Sequence, residues 1–234
     1  MMASGASSRV APPLPPHRAR RGGPPRPADR AARRYARWQV LGKRAIDIAA
    51  ASAALLILSP LVPVVALAIK LTSPGPVFYR WPVVGQGGRP LTAYKFRTMV
   101  AGADAMKREL LRHNESSGPV FKMRRDPRVT PVGRILRKFS LDEIPQLWSV
   151  LKGDLSLVGP RPVLVAEWEH FTDWQRRKLD AKPGMICLWH IRGQPRDFDE
   201  WVRMDLEYIE DWSLWLDLKV LVGAAVYVLT GRNY

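Results

Sequence analysis

Two carboxylates stand side by side at Asp142 and Glu143, inside the run from Asp126-Pro127-Arg128 to Trp148, directly after a stretch rich in arginine. An ionised carboxylate can act as a nucleophile or hold a metal ion, so this pair is the first candidate for chemistry. On a helix, adjacent residues point about 100° apart. The two acids would then not flank one bond as the acid pair of a glycosidase does, and separate jobs are more natural: one attacks, the other holds a metal. Lys95, Arg97, Arg134, Arg137 and Arg161 supply positive charge, and Pro160-Arg161-Pro162 is a rigid setting that can aim a guanidinium at phosphate oxygens. A basic protein also keeps most of its arginines in solvent, so the cluster is equally readable as surface charge.

How the acids are presented depends on where a helix starts. Ser140 and Glu143 match the S-x-x-E capping box, which would make the acids a helix start and nothing more. Pro145 then falls at the fifth helical position and deletes a hydrogen bond. A start one or two residues later puts it in the tolerated first turn. The later start leaves Asp142 at a helix N-terminus, where the dipole favours its ionised form.

The elements around the pair can be read from pattern. Thr72-Ser73-Pro74-Gly75-Pro76 is a turn, Val77 to Arg80 and Leu91 to Phe96 are strand-like, and Gly85 to Gly88 is the loop between them, which predicts a short β-hairpin. Ala101 to Arg112, Thr130 to Lys138 and Ile144 to Leu151 carry helical periodicity. The expected class is α+β and mostly helical.

From Ile48 to Ile69 runs an uncharged stretch of 22 residues, led in by Lys43, Arg44 and Asp47 and closed by Lys70. It is long enough to span a bilayer. Ser59-Pro60 and then Pro63 interrupt its middle, where lost backbone donors kink or break a helix. A straight span would put basic segments on both faces of the membrane, against the positive-inside bias. A re-entrant hairpin over residues 38–71, turning at Ser59-Pro60 with both flanks cytoplasmic, avoids the conflict. Its broken backbone would be satisfied by Ser59 or by the local turn. A kinked straight span and a buried soluble helix are the alternatives. Near the C-terminus Trp212, Trp215, Leu216 and residues 218–229 form an apolar segment interrupted by Asp217 and Lys219. It reads either as a helix lying in the bilayer interface or as a packed core helix.

Composition narrows the function classes. The net charge is +16, but residues 1–37 hold nine arginines against Asp29 alone and are rich in Pro, Ala and Gly, which predicts a disordered basic tail. The body, residues 38–234, is only moderately basic. Such a surplus suits anionic lipid, a diphosphate substrate or nucleic acid alike. The single cysteine, Cys187, excludes an internal disulfide and a Cys-based zinc cluster.

Taken together, several stretches resemble the bacterial sugar transferase family, the monotopic phosphoglycosyl transferases. They are the Ser-Pro-broken apolar segment, Tyr94-Lys95-Phe96-Arg97-Thr98-Met99, Asp126 to Trp148, Gly153-Asp154-Leu155-Ser156-Leu157-Val158-Gly159-Pro160-Arg161-Pro162, and Lys182-Pro183-Gly184. The resemblance runs from about Lys43 to the C-terminus. It implies a catalytic dyad at Asp142 (nucleophile) and Glu143 (ligand of Mg2+). The implied reaction moves a sugar-1-phosphate from a UDP-sugar to undecaprenyl phosphate through an aspartyl phosphosugar, releasing UMP. It implies a place on the cytoplasmic face of the bacterial inner membrane, at the first membrane step of exopolysaccharide or glycoconjugate synthesis. Larger members carry further transmembrane helices and another domain in front, so the chain looks like the short form.

With Lys95, Arg97, Arg137, Arg161 between Pro160 and Pro162, and Arg192 as expected substrate contacts, the chain departs from the family pattern after Gly184. Ile186, Cys187 and Gln194 stand where Thr, Gly and Arg are usual. Arg192 or Arg196 would substitute for the missing phosphate-site groups. His190 beside Trp189 reads as a packing residue. No nucleic-acid partner is expected, and a homodimer is compatible with the sequence without being required by it. The rival classes are a membrane-anchored basic binding protein and a catalytically inactive scaffold; the intact acid pair argues against the second.

Overall fold

The computed structural model describes residues 35–229, with a fold that is mostly helical around a small sheet; the basic tail before Tyr35 lies outside the described residues. Helix α1 (Arg37–Leu58) and helix α2 (Leu61–Thr72) meet at the Ser59-Pro60 break with a bend of 62°. The pair is bent into an elbow at the Ser59-Pro60 position where the re-entrant hairpin was expected to turn. Ser59 (φ −55°, ψ −39°) and Pro60 (φ −64°, ψ −23°) both stay in the right-handed helical region, so the bend is made with little departure from helical backbone. The freed backbone groups are met locally: Ser59 Oγ donates to the Leu56 carbonyl at 2.9 Å and Val62 N donates to the Ser59 carbonyl. No single described helix is long and apolar enough to cross a membrane; the bent pair has that length and composition together.

After the elbow, β1 (Phe78–Val84) and β2 (Pro90–Phe96) form the expected antiparallel hairpin, with Lys95 opposite Tyr79. Strand β4 (Val163–Leu164) adds to the other edge of β1, giving the order β2-β1-β4, and β3 (Ser156–Val158) pairs in parallel with β5 (Gly184–Ile186). Helices α3 (Ala103–Leu110), α4 (Pro131–Lys138) and α5 (Gln146–Lys152) fall within a residue or two of their predicted spans. Two longer helices close the chain, α6 (Phe198–Glu210) and α7 (Leu214–Leu229).

The charged residues at the start of the apolar stretch hold the elbow to the rest of the protein. Arg44 donates from both terminal nitrogens to the Val150 and Leu151 carbonyls at 2.6 Å, capping the C-terminus of α5. Asp47 is buried, accepting from Ser156 Oγ and Leu157 N. Lys43 reaches Asp217 on α7 at 2.6 Å, and that carboxylate also accepts from Tyr208 and Trp212. Asp217 thus faces the core with Val220 and Ala224, while Trp215, Leu218, Val222 and Val226 form an exposed apolar stripe on α7. One face of α7 thus packs in the core, as the core-helix reading expected, and the other is exposed and apolar. The elbow repeats the arrangement: Ala51, Val65 and Ile69 are buried against the body, while Leu56, Ile57, Val64 and Leu71 are exposed.

Candidate active site

The segment that carries the acids is built from short-range rules. Thr130 N-caps α4, its Oγ1 accepting from Gly133 N at 2.9 Å, and Pro131 fills the first helical position. Gly133 is needed because a Cβ there would lie 2.0 Å from the Thr98 carbonyl, so α4 sits flush on the strand-end segment after β2. The helix ends at Lys138, and Ser140 turns the chain through the left-handed region (φ +52°) into a short 3₁₀ turn, Leu141–Glu143. The capping box does not form, because a left-handed Ser140 makes no side-chain cap. Pro145 instead sits at the N-cap of α5, which starts at Gln146, later than the shift of one or two residues expected to place the proline in the first turn.

Asp142 and Glu143 open onto a cavity of about 960 Å³. Lys95 Nζ donates to Glu143 Oε1 at 2.7 Å and lies 4.0 Å from the Trp81 ring centre. Burial pushes Glu143 up, but the Lys95 charge and hydrogen bond outweigh it and hold its carboxyl below the usual range. Asp142 goes the other way. Burial, opposed by Lys95 and reinforced by Glu143, raises it to about 6. Asp142 was expected at a helix N-terminus that favours its ionised form; it lies instead in the 3₁₀ turn ahead of the Pro145 N-cap, and burial raises it.

The expected substrate cations divide. Lys95, Arg137 and Arg161 line the cavity. Arg137 Nε donates to Thr98 Oγ1 at 2.9 Å. Arg161 is stacked 4.9 Å from the Trp201 ring, and its backbone N donates to Asp205 Oδ1. Pro162 reaches the cavity wall, whereas Pro160 is buried and accepts from Gly184 N, fixing the turn behind Arg161. Arg97 also lines the cavity, yet its terminal nitrogens donate to the Ser73 and Pro74 carbonyls, so it clamps the turn after α2. Arg134 is exposed and outside the cavity.

Arg192 is not at the site. It is exposed and paired with Glu207 at 2.6 Å, because the helical turn 189–192 points it at α6. Of the two proposed substitutes, Arg196 is the one on the cavity wall. His190 stacks on Trp189 at 3.8 Å with its ring nitrogen against Cys187, the packing role expected, while its edge lines the cavity; burial lowers its proton affinity.

Sequence reasoning missed the support under Arg161. Asp205 and Lys178 are both buried and form an ion pair at 2.5 Å. Asp205 sits between Val202 and Tyr208 on the buried face of α6, and a lone acid on an apolar face was the available signal. Lys122 and Gln194, in contact across the cavity wall, were missed as a pair. A smaller apolar cavity of about 350 Å³ lies between the elbow and the site, bounded by Leu55, Val62, Ile144, Pro145 and Trp148.

A model of bacterial sugar transferases matches residues 38–231, nearly the whole described chain. This chain belongs to the bacterial sugar transferase family. Among its transferase relatives, the galactosyl transferase CpsE of Streptococcus agalactiae serotype III (strain NEM316) is 41% identical over 201 residues, covering 85% of this chain and 44% of the relative. The undecaprenyl-phosphate galactose phosphotransferase of Salmonella typhimurium is 42% identical over 193 residues, 80% of this chain and 40% of the relative. A UDP-glucose:undecaprenyl-phosphate glucose-1-phosphate transferase of Caulobacter vibrioides is 40% identical over 205 residues, 82% and 72%. The chain thus spans less than half the length of the first two transferases. In each case the shared part includes most of the chain, so the family assignment rests on the segment that carries the acid pair.

Proposed function

We propose that this chain is a phosphoglycosyl transferase, moving a sugar-1-phosphate from a UDP-sugar to undecaprenyl phosphate and releasing UMP. The observation that carries the reading is the placement of the acids. Asp142 and Glu143 open onto a cavity walled by Lys95, Arg137 and Arg161, while the next residues, Ile144 and Pro145, line the apolar groove against the elbow. A soluble nucleotide sugar and a lipid phosphate can therefore meet at one pair of carboxylates. Relatives named as undecaprenyl-phosphate galactose or glucose phosphotransferases support a UDP-hexose donor.

In this reading Asp142 is the nucleophile. Its oxygen bonds to the β-phosphorus, the bond to the bridging oxygen breaks, and the electron pair leaves on UMP. The phosphate of undecaprenyl phosphate then displaces Asp142 from the aspartyl phosphosugar. Attack on a diphosphate needs its charge screened, the task of Lys95, Arg137 and Arg161. Glu143 is the residue that would hold Mg2+, which when bound supplies further neutralisation of phosphate charge. No cluster of three or more acid, His or Cys ligands is found among the described residues, so an ion held by Glu143 would take its other ligands from substrate phosphate and water, as Mg2+ commonly does.

The elbow and α7 would lie in the cytoplasmic face of the bacterial inner membrane as a re-entrant segment and an interfacial helix, with their exposed apolar stripes toward acyl chains. The step belongs to exopolysaccharide or glycoconjugate assembly.

The test is UMP release by the full chain in nanodiscs with undecaprenyl phosphate and Mg2+ across a panel of UDP-sugars, with Asp142→Asn as control. Release with one sugar, lost in the variant, supports the reading; silence with every donor, or full activity of Asp142→Asn, overturns it.

A further inference from the structure

The cavity has a second set of cations, Lys122, Arg124 and Arg196, that the proposed attack does not use. Their wall is made by two loops sewn together. In the first, Asn114 Oδ1 accepts from Lys122 N at 2.8 Å, and the Lys122 carbonyl accepts from Glu115 N at 2.8 Å, closing a tight loop over residues 114–122. In the second, Phe198 N donates to Ser117 Oγ at 2.8 Å, and the Arg196 carbonyl accepts from Ser117 N, binding residues 194–198 to the first loop. Where they meet, Lys122 Nζ donates to Gln194 Oε1 at 2.5 Å.

At this wall Lys122, Arg124 and Arg196 stand with Glu115 as the acid beside them on the cavity lining. Burial lowers the proton affinity of Lys122 below the ordinary lysine value, and the charges of Arg161, Arg124 and Arg196 lower it further. The charge of Glu115 acts in the opposite direction, and Glu115 Oε1 already accepts from Arg124 N at 2.9 Å. The Lys122 ammonium meets a neutral amide where a structural lysine would meet a carboxylate. Such an arrangement is costly unless an anion completes it. Arg161 connects this wall to the chemistry, because its charge acts on both Lys122 and Glu143.

We propose that Lys122, oriented by Gln194 and flanked by Arg161 and Arg196, is the seat of the nucleotide's departing phosphate. This rests on the phosphoglycosyl transferase reading. Charge bookkeeping for the first step shows why a seat is needed there. A UDP-sugar with two negative charges and the Asp142 carboxylate with one become an aspartyl phosphosugar with one and UMP with two. No proton is required, and the phosphate that leaves gains the charge the carboxylate gave up. Cations fixed beside it stabilise the leaving group as that charge develops. The phosphate of the lipid acceptor is a poorer match: the apolar groove on the elbow shares only Phe96 with this cavity and none of these cations.

The experiment is calorimetric titration of the full chain in nanodiscs with UMP and, separately, with uridine. Replacing Lys122 by Met should weaken UMP binding about ten- to a hundredfold, the usual range for one charge-assisted hydrogen bond, and leave uridine binding unchanged. Lys122→Arg should recover most of the loss. Gln194→Glu, which engages the ammonium in an ion pair, should weaken UMP in the same direction, and Arg177→Met, an exposed residue paired with Glu210 outside the cavity, should change neither ligand. UMP affinity unchanged in both Lys122→Met and Gln194→Glu would overturn the proposal, while UMP release by the unaltered enzyme would leave the transferase reading standing. A chain that neither binds nor releases UMP would overturn both.

Discussion

The Lys95 ammonium lies 2.7 Å from Glu143 Oε1 and 4.0 Å from the centre of the Trp81 ring, so it is held on two sides before any substrate arrives. Glu143 takes the benefit and stays ionised. Asp142, more deeply buried beside it, is left with the desolvation cost and with its neighbour's negative charge. The two acids of one dipeptide are thereby pushed apart in proton affinity, a division of labour that suits one nucleophile and one metal ligand.

The pH dependence should show it. With Asp142 needed as a carboxylate and raised to about 6, kcat/KM for the donor should fall on the acid side with an apparent midpoint near that value. Lys95→Met removes the cation that opposes the rise, so the midpoint should move to higher pH. Initial rates of UMP release between pH 5 and 8.5 measure both; a midpoint that does not move in the variant contradicts the assigned role of Lys95.

Asp142→Asn should abolish turnover and at the same time stabilise the fold. A carboxyl whose folded value, about 6, lies above its ordinary 3.8 binds its proton more tightly when folded. It therefore costs stability progressively as pH rises from about 4 through 6, and that cost persists above. The amide removes it, for a gain of up to about 3 kcal/mol at pH 7.5 that vanishes below pH 4. Thermal melting of both proteins at pH 4 and 7.5 would reveal the crossing; an equal gain at both values would assign the effect to packing.

Arg44 ties the elbow to α5, whose opposite end follows directly from the acid pair. Arg44→Met leaves the Val150 and Leu151 carbonyls without these donors, at a cost of about 1–3 kcal/mol. Turnover should drop severalfold while UMP affinity holds. Loss of affinity with turnover intact would contradict a positioning role.

Asp205→Asn leaves the Lys178 charge buried without its partner and should destabilise by about 3–5 kcal/mol. The double change Lys178→Met with Asp205→Leu should recover much of that in denaturant melts. It should not restore donor affinity, since the Arg161 backbone N loses its acceptor.

The bend at Ser59-Pro60 can be tested for its effect on topology. A cysteine placed in the N-terminal tail should react only from the cytoplasmic side in the unaltered chain. The native Cys187 is buried, with its thiol pushed upward, and will not compete. Pro60→Ala with Pro63→Ala restores two backbone donors and should straighten the elbow, bringing external labelling. Labelling that stays cytoplasmic would mean that the proline break does not set the topology.

What the sequence determined by itself was what short-range physics governs. The β-hairpin of residues 78–96, the Thr130-Pro131 start of α4, the delayed start of α5 at Pro145 and the break at Ser59-Pro60 each follow from a few neighbouring residues and their backbone preferences. The acid pair and its arginines could be picked out as a candidate site for the same reason, being defined by type and spacing. Tertiary structure alone decided which cation serves which task. Arg97 is spent on a turn and Arg192 on Glu207, while Arg196 and Lys122 face the cavity. The proton affinity of Asp142 and the 62° angle of the elbow belong with these. Such assignments depend on burial and on charges brought together across the chain, 48 positions from Lys95 to Glu143 and 174 from Lys43 to Asp217, which local patterns do not encode.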